Sequence, residues 1–122
     1  MHMSPADIEQ NETIFRILGW ELDPKSPYSP VCSWRKGAAY TMLPDFVHNY
    51  TDMLTAERTL TPQQRRAYAA VLAGGSVDYL EWWRDLSDSD HLDALVQVAN
   101  ARPCDRAEAF LRVHGKWKDE WE

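Results

Sequence analysis

Apolar residues in this chain fall into short periodic runs, separated by proline, glycine and small polar residues. In the first run Ile8, Phe15 and Leu18 lie near one helical face, joined by Ile14 and Ile17. Ser4, Pro5 and Asp7 supply a cap, a rigid first residue and a capping-box carboxylate at its start. Gly19 ends the run in a left-handed cap, from which Trp20 can fold back over the last turn. The next stretch, WELDPKSPYSP, carries prolines at 24, 27 and 30, which break helices and favour extended backbone. VCSW, RKG and AAYTML then read as a hairpin near residues 31–43, turning at Lys36-Gly37.

Helical spacing resumes after Pro44. Asn49 or Thr51 caps a second helix with Met53, Leu54 and Leu60 facing inward. Thr61, Pro62 and Gly74-Gly75 punctuate a third, and Ser76 caps a further run through Leu86. On a helical wheel Trp83 falls near the centre of that run's apolar arc, with Trp82 about 70° away at its edge. Trp83 therefore reads as the better core residue and Trp82 as the better candidate for a rim or a partner, the alternative being that Trp82 lies half buried over a neighbouring helix or the hairpin. Ser89 or Asp90 opens the next helix, in which Leu92, Leu95, Val96 and Ala99 share one face. Pro103 begins the last helix and Gly115 stops it, with Ala107, Phe110, Leu111 and Val113 or His114 as its stripe. The pattern predicts an α+β fold: a mostly helical single domain of about five or six helices with one small hairpin. That domain spans residues 3–116, with 117–122 as a charged tail that frays or docks by its tryptophans. Met1 and His2 read as an addition ahead of Met3 and are left out of the fold.

Six tryptophans in 122 residues change this picture from a plain helical domain to one with a surface to offer. Tryptophan is enriched where proteins meet, and two of the six lie in the polar tail KWKDEWE. The expected partner-binding set is Trp82, Trp34, Trp117 and Trp121, with Asp88, Asp90, Asp119 and Glu120 steering the approach. A net charge of −6 argues against direct binding to nucleic-acid phosphates.

Candidate chemistry is sparse. Cys32 and Cys104 have no paired motif and read as free thiols in a reducing cytosol. Cys104 lies in the first turn of a predicted helix, but nothing in the sequence brings His48 or His114 to it. The group Asp88, Asp90, His91 and Asp93 lacks the glycine and terminal glutamate of a calcium loop and reads as a solvated helix start. No catalytic residue, metal site, cofactor or membrane span is therefore expected.

FRILGW, an aromatic stretch around SW, and LPDF followed by a helix resemble the phage ABA sandwich family, whose members carry a helix ending in LGW, a tryptophan-bearing strand and LPDY. The segment ALVQVANARPCDRAEAFLRVHGKWKDE is similar to the ends of small phage and prophage proteins, with Arg102 where those have a cap threonine. The strands that the family places after its LPDY helix are replaced here by predicted helices at 62–73 and 76–86. The resemblance implies a phage or prophage accessory protein acting in the host bacterial cytoplasm.

The leading expectation is a non-enzymatic inhibitor that docks on a bacterial host protein, including one of a defence system. One alternative is a sponge for a nucleotide immune signal, formed between subunits of a homo-oligomer, with Arg35, Lys36, Arg65 or Arg66 holding phosphate. Another is an acidic mimic that displaces nucleic acid from a host enzyme.

Overall fold

A computed structural model describes residues 3–78 and 83–122. Among these residues are five α-helices (α1 Pro5–Ile17, α2 Tyr50–Glu57, α3 Pro62–Leu72, α4 Asp88–Asn100, α5 Pro103–Val113) and a small antiparallel sheet of β1 (Glu21–Leu22), β2 (Trp34–Lys36) and β3 (Ala39–Thr41). The strand order is β1-β2-β3, with Leu22 opposite Trp34 and Arg35 opposite Tyr40. The α+β, mostly helical architecture is as the sequence predicts, and the hairpin lies inside residues 31–43. The third strand, β1, is an addition to that prediction.

Helix ends follow their capping chemistry. Ser4 and Asp7 form a reciprocal box at α1, as Thr61 and Gln64 do at α3. Asn49, not Thr51, caps α2 by accepting from the Asp52 amide at 2.9 Å. Gly19 adopts φ 95°, and the Trp20 amide donates back to the Phe15 carbonyl at 3.1 Å. That turn lays Trp20 flat on Phe15, with ring centroids 4.8 Å apart. α4 starts earlier than expected: Ser87 accepts from the Asp90 amide at 3.2 Å and donates to its carboxylate at 2.9 Å. The stretch with the three prolines is extended only at β1 and then forms successive turns. Its Ser26 hydroxyl, buried, donates to the Cys32 carbonyl at 2.7 Å and accepts from the Tyr28 amide.

α5 runs through the centre. Ala107, Ala109, Phe110 and Leu111 are fully buried and meet Ile14 and Phe15 of α1, Met53 and Ala56 of α2 and Tyr68 of α3 in one cluster. Trp34, Phe46 and Val47 close its other side. Asn11, fully buried, fixes α1 to the LPDF segment: its amide donates to Asp45 at 3.2 Å and its carbonyl accepts from the Val47 amide at 3.1 Å. Ile8, expected on the inner face of α1, is exposed.

A charged network inside this frame joins four helices. Arg106 of α5 donates to Glu57 of α2 at 2.7 Å, and the Tyr68 hydroxyl of α3 donates to the same carboxylate oxygen. Arg106 also donates to the Val98 and Ala101 carbonyls, both at 3.0 Å, so one guanidinium closes the C-terminal end of α4. Burial first, and then the hydrogen bond to Glu57, holds the Tyr68 phenol far above the usual tyrosine range. The unfolded chain releases that proton near about pH 10, while folded Tyr68 keeps it. Its contribution is therefore complete below about pH 10 and is lost as pH rises beyond it. Denaturant titrations of wild type and Tyr68→Phe at neutral and strongly alkaline pH should show a smaller alkaline loss in the variant. An equal loss would mean that Tyr68 ionises freely in the fold.

Candidate partner-docking site

The described residues redistribute the tryptophans. Trp34 is 5% exposed, packed on Phe15 and under the Arg16 guanidinium, and so belongs to the core rather than to a partner surface. Trp117 and Trp121 meet edge to face at 5.3 Å and pack against the core, partly buried. The tail they lie in is a docked element ending in a 3-10 turn, Asp119–Trp121. Lys118 pairs with Glu9, and Arg112 reaches Glu122 at 2.8 Å. The charges of KWKDEWE thus return to the domain, while Asp119 and Glu120 remain exposed at its edge. Trp82, with Tyr79, Leu80 and Glu81 of the helix expected over residues 76–86, lies outside the described residues. Trp83 is 42% exposed, which corrects its expected place in the core.

The four cations of the nucleotide reading sit on different elements. Arg35 and Lys36 are on β2, and Arg65 and Arg66 are on α3. Lys36 is already engaged, donating to the Leu18 carbonyl at 2.9 Å where α1 ends. Arg65 flanks a shallow depression beside Glu57 and Tyr68. Cys104 forms no hydrogen bond with either His48 or His114 among the described residues: His48 contacts Asp45 and Asp7, and His114 lies tilted against Phe110.

α4 is where the surface departs furthest from what its sequence pattern suggests. Leu92, Leu95 and Val96 are 64%, 58% and 53% exposed, and Ala99 beside them is exposed too. These residues repeat as i, i+3, i+4 and i+7, the stripe by which an amphipathic helix normally meets its core. Here the stripe faces water, and the one fully buried residue of α4 is Ala94 on the opposite side. The contact between α3 and α4 is made by small side chains: Ala69, Ala70 and Ala73 face Ala94 and Val98. They leave a slot of about 250 Å³ whose remaining wall, among the described residues, is Trp83, Leu95 and Arg66.

Trp83 is held at that wall by His91. The two rings lie 4.3 Å apart, and His91 Nε2 is 2.8 Å from the Trp83 carbonyl. A carbonyl only accepts, so Nε2 carries the hydrogen.

Charge is segregated to the same region. Residues 77–100 contain six acids (Asp78, Glu81, Asp85, Asp88, Asp90, Asp93) against one cation, Arg84, which accounts for most of the chain's net charge of −6. Several acids elsewhere are paired, as in Glu57–Arg106, Glu108–Arg112, Asp105–Arg102 and Glu9–Lys118. Asp85, Asp88, Asp90 and Asp93 have no ion pair among the described residues. Of the expected site, Asp88 and Asp90 therefore stand beside an exposed apolar stripe, as a docking surface requires. The stripe's own residues carry no signal of outward orientation in the sequence, because periodicity alone does not say which side a helix buries.

No helix among the described residues is long and apolar enough to cross a membrane. No family model, curated protein or solved structure matches the chain.

Proposed function

We propose that this protein is a non-enzymatic interaction protein, a phage or prophage accessory inhibitor that docks the outward face of α4 on a bacterial host protein. The observation that carries the reading is the exposure of Leu92, Leu95 and Val96 on a helix that buries little else. Fully burying a leucine or valine side chain stabilises by about 1.5–3 kcal/mol. A stripe left in water is a reserve of binding energy that folding has not used. The unpaired carboxylates at its N-terminal end give the partner's chemistry: an apolar surface bordered by lysine or arginine, attracted over a salt-dependent range.

The test compares wild type with Leu92→Ser plus Val96→Ser as bait in a bacterial lysate. Both positions are exposed, so the variant should melt within a few degrees of wild type. The expected result is a basic partner retained by wild type at low salt, lost by the variant, and released as salt rises. Identical recovery by both proteins would remove α4 from the docking surface. If duplex DNA competes with capture, the occupied face is one the partner uses for nucleic acid, which is the mimic reading of the same surface.

A further inference from the structure

We infer that the slot between α3 and α4 receives one aromatic side chain, of the phenylalanine class, carried by a lysine- or arginine-flanked segment of the partner. The inference rests on the docking reading and assigns the anchor of that same surface. Three observations fix the occupant.

The first is size and lining. The slot measures about 250 Å³ and is walled by alanine, valine, leucine and the Trp83 ring. An apolar cavity of about 150 Å³ already accommodates benzene, so one phenyl ring fits with room for its approach. Four alanines make this space. A longer side chain at Ala69 or Ala73 would fill it from within.

The second is ring chemistry. Trp83 offers an aromatic wall, fixed by His91, against which a second ring can sit offset or edge-on. Arg66 is the one charged residue that lines the slot among the described residues, and it has no ion pair with any of them. A guanidinium so placed favours an aromatic ring over an aliphatic chain.

The third is the surrounding charge. Asp85, Asp88, Asp90 and Asp93 are exposed and have no ion pair among the described residues, so the residues that flank the ring should be cationic. Small rigid slots filled by a partner's large side chain are where interface energy concentrates.

The experiment uses the full chain and three capped tripeptides, acetyl-Lys-Phe-Lys-amide, acetyl-Lys-Ser-Lys-amide and acetyl-Glu-Phe-Glu-amide, followed by residue-resolved NMR. The phenylalanine peptide with lysines should shift the Trp83 indole and Ala73 signals. It should bind about tenfold or more tightly than either of the others at low salt. Ala73→Leu should lose that difference, and Ala69→Leu repeats the test should Ala73→Leu misfold.

Leu92→Ser plus Val96→Ser should keep the peptide response, because neither residue lines the slot. Equal binding of the serine and phenylalanine peptides overturns the inference. So does an unchanged response in a folded slot-filled variant, or no response in wild type up to about 10 mM peptide. The docking reading fails separately, when the Leu92 and Val96 variant still captures the lysate partner.

Discussion

Replacing Arg106 with alanine should lower folding stability by about 3–5 kcal/mol, the usual cost of stripping one partner from a buried ion pair. Arg106 is 7% exposed and fills its donors in three directions: the Glu57 carboxylate and the Val98 and Ala101 carbonyls. Its guanidinium also lies 5.0 Å from the centre of the Tyr50 ring. Alanine would leave Glu57 charged and enclosed with only the Tyr68 hydroxyl, and would leave the end of α4 without its donor. The midpoint of thermal unfolding should fall by about 10 °C or more.

Lysine should rescue little, because one ammonium on a flexible stem cannot replace a planar fork that serves three acceptors. Glu57→Leu combined with Arg106→Leu should recover part of the loss, since that pair removes both charges from the interior. Urea denaturation of both singles and the double measures the coupling. A loss under about 1 kcal/mol for Arg106→Ala would show that water reaches the network and that α4 is held by other contacts.

What the sequence conveyed depended on whether the signal was local. Caps are local. Ser4 with Asp7 and Thr61 with Gln64 announce their helices within four residues, and Lys36-Gly37 announces the hairpin turn. β1 is two residues long and pairs with a strand more than ten positions away, so no alternation marks it. At α4 the run Ser87, Asp88, Ser89, Asp90 offers several competent caps in succession. The one used is Ser87, the first of them.

The direction of the α4 stripe was hidden for a related reason. Alanine carries little weight in a hydrophobic pattern, yet here alanines make the helix contact and leucines face outward. The Glu57–Tyr68–Arg106 network draws on three helices, its charged partners 49 positions apart, and no spacing rule could assemble it. The tryptophan count, read as surplus ring area, put Trp34 at the surface although β2 seats it on Phe15. The tail docks by Trp117 and Trp121, one of its two expected outcomes, because Lys118 and Glu122 turn back to pair with the domain. Asp88 and Asp90 were legible as surface acids, since unpaired carboxylates at a helix start are solvated by default.

Trp34→Ala should be as damaging as the loss of Arg106, at about 3–5 kcal/mol, and should do its harm without touching the docking face. The Trp34 ring contacts Phe15 at 5.4 Å, and Phe15 in turn stacks on Trp20 and meets Phe46 at 5.9 Å. Removing the indole opens a cavity beneath β2 and takes the apolar surface from under Arg16. Trp34→Phe, which keeps a ring there, should restore much of the loss.

The comparison with α4 separates two uses of large side chains in one small protein. Trp34→Ala should unfold at markedly lower temperature, yet the fraction still folded should retain the partner. Leu92→Ser plus Val96→Ser should melt as wild type and lose the partner. Calorimetry and capture on the same three proteins decide it: a Trp34→Ala protein that melts as wild type would return that ring to the surface, and its loss of capture would move the docking site to the sheet.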